Sequence, residues 1–376
     1  MNNRTIVAIL VLAIAPMLTM VASVQAQGAQ QSKCEKSSQR MKWACKADTQ
    51  DDYFETVAHC LNLTGSASNA CWKDARESRV ENTEECGGVY EARLEACDAL
   101  QEDRYDPDPL LNSSIEFIDP DEVPGGYPAN PYVSIAAGHT YVLAAGEDGE
   151  ETVIVTVTDE TREIQGVDCR VIVDVVIEAE EEDDGIEYEP VEVTDDWFAQ
   201  DTVGNVYYCG EVARNFEDGV LRDLDGSFES GIDYAKAGIL INAYPVTGDT
   251  HRTEFLLGEA EDIIAYVDLA TAPTGDEGGD NELFPCSPNH CLKTFDYAPL
   301  EPESTEFKYY LPGTGFVLAI EMEDGEITGE REELVCIGDS IAILSDPVCG
   351  IEDPEELLEE LCEVAPEAFC DDDDDD

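Results

Sequence analysis

The sequence has few basic residues, few histidines and, beyond its N-terminus, no long apolar run. Lys and Arg number 20 against 86 Asp and Glu, so the net charge is −66. Such a surface repels the phosphates of nucleic acids and anionic membranes, and we therefore expect no nucleic-acid partner. No segment after residue 26 is apolar over the roughly 20 residues that a spanning helix needs, so the sequence predicts no membrane span.

The common signatures of catalysis are also missing. The four His stand outside Gly-x-Ser-x-Gly and His-Glu-x-x-His motifs, which argues against serine hydrolases and zinc proteases. Asp195, Asp196 and Asp201 flank Trp197 in the way that the acids of a carbohydrate-cleaving enzyme would. Because a chain with 86 acidic residues produces such groupings by chance, the sequence predicts a protein that is not an enzyme.

Residues 1–26 predict a secretory signal peptide. Arg4 supplies a positive charge, residues 6–20 are apolar, and Val24-Gln25-Ala26 is a small-residue cleavage site. A membrane anchor is the alternative, but the apolar run has about 15 residues where a span needs roughly 20. We therefore expect a secreted protein, either periplasmic or extracellular.

The 14 Cys are an even number, which in an oxidising compartment predicts disulfide bonds rather than thiolate metal clusters. Six of them alternate between spacings of 11 and 15 residues, at Cys34, Cys45, Cys60, Cys71, Cys86 and Cys97. The other eight are Cys169, Cys209, Cys286, Cys291, Cys336, Cys349, Cys362 and Cys370. For Cys286 and Cys291, a bond to each other or to more distant cysteines is favoured over a metal site with His290.

The stretch that holds the six regularly spaced cysteines predicts a disulfide-stapled helical module over residues 34–105. It is rich in Ala, Glu, Arg and Lys, and we expect short helices with breaks at residues 63–69 and at Gly87-Gly88. Eleven residues are about three helical turns, so Cys34 and Cys45 lie too far apart to bond each other. An antiparallel arrangement then suggests the pairs Cys34–Cys60, Cys45–Cys86 and Cys71–Cys97.

Residues 132–322 predict a large antiparallel β domain. Alternate positions from Val167 to Ile177 are apolar, with Asp168, Arg170 and Asp174 on the other face. Two aromatic strands, residues 197–200 and 206–209, are joined by a tight turn. Since we find no crossover helix of the length that parallel strands need, the fold class is α+β, with a helical module before a curved antiparallel sheet, half barrel or sandwich.

Two flanking segments complete the predicted organisation. Residues 106–131 are Pro-rich and predict an ordered linker, and residues 323–376 predict an acidic tail that contains four Cys. Within the tail, Asp353-Pro354 predicts the start of a short helix.

Calcium is the cofactor that the acidity suggests, because loops with several carboxylates near Gly can fold around this ion. None of the loops matches the twelve-residue helix-loop-helix pattern, so only weak association with divalent cations is expected, and solubility is the simpler explanation of the charge. The candidate ligands are Asp223, Asp225, Asp276, Asp280 and Glu282.

The aromatic hairpin offers a candidate ligand cavity. Its residues Trp197, Phe198, Tyr207 and Tyr208 would line such a cavity, or would instead stack as cross-strand core.

Several motifs occur in an order that resembles a family of uncharacterised secreted bacterial proteins. They span residues 86–322 and include Asn130-Pro-Tyr132, Asp196-Trp-Phe-Ala-Gln-Asp201, Gly204-Asn-Val-x-Tyr208 and Tyr309-Tyr-x-Pro-Gly-x-Gly315. The resemblance implies no activity and no functional residues. Cys209 departs from it, standing where the family pattern has Phe, and an extra disulfide would explain the change. The Pro-Gly-x-Gly hairpin is also similar, at the level of fold, to curved-sheet carriers of apolar ligands.

The sequence therefore predicts a secreted, acidic, non-catalytic protein with a binding or structural role at the cell envelope or outside it. The alternative is a carrier of an apolar ligand, whose cavity would be lined by residues such as Trp197 and Tyr207. A less favoured alternative is an extracellular hydrolase, in which Asp195, Asp196 or Asp201 would face a second acid. The sequence leaves open which protein or small ligand is the partner.

Overall fold

The structure is a computed structural model that describes residues 31–106, 108–123, 129–146, 151–182, 185–217, 219–323 and 325–370. The predicted signal peptide and the six terminal Asp lie outside the described residues. From Ser32 onward the chain forms one structural unit.

The N-terminal module is a hairpin of two long helices, α1 (Lys33–Cys60) and α2 (Gly65–Leu100). Ser32 begins α1 with a reciprocal cap, because its hydroxyl accepts from the Glu35 backbone while the Glu35 carboxylate accepts from the Ser32 backbone. The predicted break at residues 63–69 coincides with the start of α2, whereas Gly87-Gly88 lie inside that helix. The disulfide at the adjacent Cys86 holds this turn in place against the low helix propensity of glycine.

Three disulfides cross the hairpin, and two of the predicted pairs are wrong. The bonds are Cys34–Cys97, Cys45–Cys86 and Cys60–Cys71, so only the middle pair was predicted correctly. Two helices that run antiparallel along their whole lengths place the first Cys of α1 opposite the last Cys of α2. The two wrong pairs, Cys34–Cys60 and Cys71–Cys97, were predicted on the assumption that each half of the module is a hairpin of two shorter helices.

The rest of the described chain is dominated by one 15-stranded antiparallel sheet. Its strands are β1 (Thr140–Ala145), β2 (Glu151–Ile164), β3 (Val167–Glu182), β4 (Gly185–Gln200), β5 (Val206–Glu217), β6 (Val220–Asp223), β7 (Phe228–Glu229), β8 (Lys236–Ile241), β9 (Thr250–Arg252), β10 (Glu254–Phe255), β11 (Ile263–Thr271), β12 (Cys291–Tyr297), β13 (Ser304–Leu311), β14 (Gly315–Glu323) and β15 (Glu326–Gly338). The predicted fold class is confirmed.

The sheet curves into a nearly closed barrel. Most neighbours in the chain are neighbours in the sheet, and β1 joins the two halves by pairing with both β2 and β15. The two ends of the sheet meet at residues 250–255, where β9 pairs with β11 and β10 pairs with β8. Gly238 permits this seam, because a Cβ atom there would lie 2.1 Å from the carbonyl oxygen of Thr253.

The C-terminal segment is part of the fold, so the predicted boundary at residue 322 is wrong. β15 pairs with β1 and β14, and the chain then continues through α3 (Pro354–Val364) and α4 (Pro366–Phe369). The alternation of apolar and polar residues that identifies a strand is interrupted in β15 by its many Glu residues. The helix start predicted at Asp353-Pro354 is correct, since the Asp353 side chain caps α3.

The largest apolar core lies on the outer face of the barrel wall. The alternating apolar residues of β3, among them Val173 and Val175, pack in one cluster with Leu357, Leu361 and Phe369 of the C-terminal helices. The opposite face of β3 carries Arg170, Ile172 and Asp174. This second face, which is partly charged and partly apolar, borders the barrel interior at Ile172 and Asp174.

Candidate functional site

Two adjoining cavities occupy the barrel interior. One measures about 260 Å³ and the other about 380 Å³. Strands from all around the barrel contribute to their walls. Both are bordered by Asp174, Asp196, Phe198, Leu240, Lys308 and Tyr310.

The smaller cavity, which we call the apolar chamber, is lined mainly by aliphatic and aromatic side chains. Tyr310 and Phe316 contact each other at its wall in a tilted arrangement, with ring centroids 5.7 Å apart. Other residues of this wall are Tyr132, Tyr141, Leu143, Val155, Val157 and Ile172. Surfaces of this kind bury apolar parts of small ligands.

The larger cavity, the acidic chamber, is lined by many carboxyl groups. Lys308 is the one Lys or Arg among the described residues that line either chamber, and its Nζ lies 2.9 Å from Glu306 and 3.8 Å from Asp296. Across both chambers the carboxyl groups belong to Asp174, Asp196, Glu254, Asp262, Asp296, Glu301, Glu306 and Glu332. Carboxyl groups therefore greatly outnumber basic groups in the walls of the two chambers.

Removal from bulk water raises the pKa values of six of these carboxyl groups, those of Asp174, Asp196, Glu254, Asp262, Asp296 and Glu332. Burial raises the pKa of Asp196, of Asp296 and of Glu332 to about 7 in each case. Lys308 opposes the rise at Asp296 and Glu332. Burial lowers the pKa of Lys308 itself, but Glu306 and Asp296 raise it more, so this ammonium stays charged. The chamber thus holds a reserve of protons near neutral pH.

Asp174 stands out within this group because its Oδ1 atom is buried without a hydrogen-bond partner. Burial, and then the charge of Asp196, raises its pKa well above the usual range. A buried polar atom without a partner is costly, and a bound ligand that interacted with it would relieve that cost.

Tyr208 links Asp196 to a further acid, Glu211, which is not one of the eight that line the chambers. Its hydroxyl is hydrogen-bonded to Asp196 and lies 2.8 Å from Glu211, whose pKa burial raises to about 9. The other two acids of the hydrolase hypothesis are engaged elsewhere. Asp195 pairs with Arg214 at 3.0 Å, and Asp201 accepts backbone hydrogen bonds in the turn that follows β4. Of the three, only Asp196 borders the cavity.

The aromatic hairpin places two of its four predicted cavity residues at the cavity and two outside it. Phe198 and Tyr208 border the acidic chamber and contact each other edge to face, with centroids 4.7 Å apart. Trp197 instead lies in the outer core beneath the guanidinium of Arg162, and Tyr207 packs on Phe117. The prediction that Trp197 and Tyr207 line a cavity is therefore wrong, because side chains alternate between the two faces of a strand.

The predicted calcium ligands mainly stabilise loops. Asp223 accepts from the side chain of Asn215 at 2.9 Å and from the Asp225 backbone at 3.2 Å, and Asp280 accepts from the Cys286 and Ser287 backbones. Asp276 lies in a short 3₁₀ turn, and Glu282 borders a surface groove. Among the described residues, no group of three or more His, Cys, Asp and Glu is arranged to hold a metal ion.

Four more disulfides stabilise the barrel and its C-terminal helices. They are Cys169–Cys209, Cys286–Cys291, Cys336–Cys349 and Cys362–Cys370. The bond between Cys286 and Cys291 is one of the two disulfide arrangements that the sequence favoured over a metal site. No helix in the described part of the chain is long and apolar enough to cross a membrane.

Comparison with known proteins gives one distant structural similarity. No family model and no curated protein matches the chain. A crystal structure from Bacteroides fragilis, described as a candidate exported protein with a YmcC-like fold, is 13% identical with a TM-score of 0.28. The match covers 56% of this chain and 98% of that one. A similarity at this level supports no conclusion about function.

Several residues of the chambers were not identified from the sequence. Asp296 and Lys308 alternate with apolar residues in their strands, and the same pattern is typical of a strand with one face in solvent. Glu332 lies between Arg331 and Glu333, where no such alternation is visible. Periodicity identifies the polar face but not whether that face meets solvent or a cavity. The sequence feature that could have indicated the chambers is Asp174, a charged residue on the face of β3 opposite the alternating apolar residues.

Proposed function

We propose that the protein is an exported, non-catalytic binding protein whose barrel holds a small amphipathic ligand with a protonated amine. The observation that carries this proposal is the junction of an apolar chamber with an acidic one inside a single barrel. The export part rests on the predicted signal peptide and on seven disulfides, which persist in oxidising compartments.

The apolar chamber supports an apolar ligand portion. Its aliphatic and aromatic wall would remove hydrocarbon from water, which is worth about 25 cal/mol for each Å² buried. This part of the proposal corresponds to the apolar-ligand carrier that the sequence offered as an alternative, with Phe198 and Tyr310 in place of Trp197 and Tyr207 at the wall.

The acidic chamber supports a cationic group on the same ligand. Eight carboxyl groups border the two chambers against the single ammonium of Lys308. A ligand amine entering here would gain several charge-assisted hydrogen bonds and would favour the ionised form of the acids around it. Binding would then release protons from carboxyl groups whose pKa values lie near 7, such as Asp296.

The first experiment is calorimetric titration of the mature protein with octylamine, octanol and octanoate at pH 7. These probes share one chain and differ only in the head group. We expect octylamine to bind most tightly, with a heat that varies with the ionisation enthalpy of the buffer because protons are released. Equal binding of octanol and octylamine would show that only the apolar carrier function is present. Preference for octanoate, or absence of binding by all three probes, would refute the proposal.

Two matched variants locate the binding. Asp296→Asn removes one cavity carboxylate, and Asp339→Asn removes a carboxylate that is 99% exposed. We expect octylamine affinity to fall roughly tenfold in the first variant, since a hydrogen bond to a charged group contributes about 1.5–3 kcal/mol. The second variant should bind like the wild type. Equal affinities in the two variants would place the amine outside the acidic chamber.

A further inference from the structure

A third cavity, of about 240 Å³, lies where the helical hairpin meets the barrel. It is separate from the two chambers and is lined by residues of α1, α2, β8, β9 and β10. Five of the 20 basic residues of the chain border it: Lys33, Arg93, Arg104, Lys236 and Arg252. In a chain with a net charge of −66, this concentration of cations is unusual. We call it the basic pocket.

Two buried ion pairs form the inner part of this pocket. Arg93 of α2 donates hydrogen bonds from Nε and Nη2 to both carboxylate oxygens of Glu261, and both side chains are almost fully buried. Arg252 of β9 donates from Nε and Nη2 to the same oxygen of Glu102, at 3.0 and 2.8 Å. These pairs connect the hairpin to the barrel and fix the two guanidinium groups in position.

Arg252 retains an unused donor group. The residue is only 5% exposed, and its Nη1 atom is buried without a hydrogen-bond partner. Its guanidinium carbon lies 4.9 Å from the ring centre of Phe255 and 5.9 Å from that of Tyr105. The two rings restrict the orientation of the guanidinium. They do not accept the hydrogen bonds that its Nη1 atom would donate in the plane of the group. Native structures leave few buried hydrogen-bond donors without a partner, and Nη1 of Arg252 is one of these few.

The rim of the pocket is cationic, with its own counter-ions. Lys33 pairs with Asp103 at 2.9 Å, while Arg104 and Lys236 each lie 3.9 Å from Asp106. The direct ion-pair partners of these five cations are four carboxylates, those of Glu102, Glu261, Asp103 and Asp106.

We propose that the basic pocket binds a small ligand through a single oxyanion group, a carboxylate or a phosphate. The oxyanion would accept from Nη1 of Arg252 and lie among the ammonium and guanidinium groups of the rim. The planar N–H donors of a guanidinium group match the spacing of the oxygens in a carboxylate or a phosphate. A spherical ion offers no such pair of acceptor atoms. Chloride is therefore a poor substitute.

The test is titration of the mature protein with inorganic phosphate and, separately, with acetate, in NaCl at constant ionic strength. We expect at least one of these oxyanions to bind and to raise the Tm above that of the NaCl control. Binding of phosphate alone or of acetate alone identifies the oxyanion that the pocket prefers. If neither binds in excess of chloride, the proposal is refuted.

Three variants assign the binding to the pocket. Arg252→Gln should weaken it roughly ten- to hundredfold, in keeping with the loss of a hydrogen bond to a charged group. The double variant Lys33→Gln/Arg104→Gln alters exposed rim residues and should weaken it about two- to fivefold. Arg222→Gln removes an exposed cation of β6, outside the pocket, and should have no effect.

The double variant keeps the test decisive if Arg252→Gln does not fold, because Lys33 and Arg104 are both more than half exposed. Circular dichroism melts establish the fold of each variant. If the folded rim variant binds phosphate and acetate as the wild type does, the basic pocket is not the site. The Asp296→Asn variant should bind these anions normally, which separates this inference from the amine-binding proposal.

Discussion

At the scale of single residues, the interior carboxyl groups make stability depend on pH in an unusual direction. The pKa of Asp296 is raised from 3.8 to about 7, first by burial. Between these values the folded protein holds a proton that the unfolded chain has released. The free energy of unfolding must therefore fall as pH rises from about 4 to about 7. Asp196 and Glu332 act in the same direction.

Replacing Asp296 by Asn should flatten this pH dependence. The amide does not ionise, so the variant should lose a slope of up to about 1.4 kcal/mol per pH unit over this window. Urea unfolding of the wild type, Asp296→Asn and Asp339→Asn at pH 4.5, 5.5 and 7 provides the comparison. The exposed Asp339 should leave the slope unchanged. A wild-type slope retained in Asp296→Asn would mean that this carboxyl group ionises normally in the folded state.

At the scale of elements, sequence patterns predicted those parts of the fold whose signals are local. The apolar alternation in β3, the turn between β4 and β5, and the Asp353 cap of α3 all follow from neighbouring residues. The disulfide pairs of the hairpin depend on helix length, which a tertiary contact at Cys86 extends past Gly87-Gly88. The polar face of β13 could not be assigned to a cavity, because that depends on barrel closure by strands far apart in sequence.

The barrel seam should be sensitive to one added methyl group. Gly238→Ala would place a Cβ atom against the backbone of Thr253, the residue between β9 and β10. Strand β8 would then have to move away from this residue. We expect a loss of about 1–3 kcal/mol in the free energy of unfolding, which is the usual cost of overpacking. Gly275→Ala is the control, since nothing lies within 4 Å of a Cβ atom there. Urea unfolding measures both, and equal effects would show that the seam tolerates displacement.

At the scale of the whole molecule, the net charge of −66 favours expansion of the chain through self-repulsion. Raising NaCl from 0.01 M to 0.15 M shortens the Debye length from about 30 Å to about 8 Å. We expect the Tm at pH 7 to rise steadily over this range. Near pH 4.1, the isoelectric point expected from the composition of the chain, the same series should change the Tm very little. A Tm at pH 7 that does not respond to salt would show that the acidic surface does not limit stability.

Calcium in the same melts separates the two explanations of the acidity. At ionic strength matched with NaCl, specific sites at Asp223, Asp225, Asp276, Asp280 or Glu282 would raise the Tm further, by the free energy of ion binding. Equal midpoints in the two salts would leave solubility as the role of these carboxylates. Calcium binding stays a prediction until this comparison is made.

The position of the largest apolar core on the outer side of the barrel wall has an evolutionary consequence. Val173, Val175, Leu357 and Leu361 stabilise the fold from one side of the sheet, while the chambers border the other. Substitutions at cavity positions such as Leu240 or Glu332 thus spare the contacts of that core. Descendants of one such barrel could acquire different ligand preferences by exchanging lining residues while keeping the same stabilising frame.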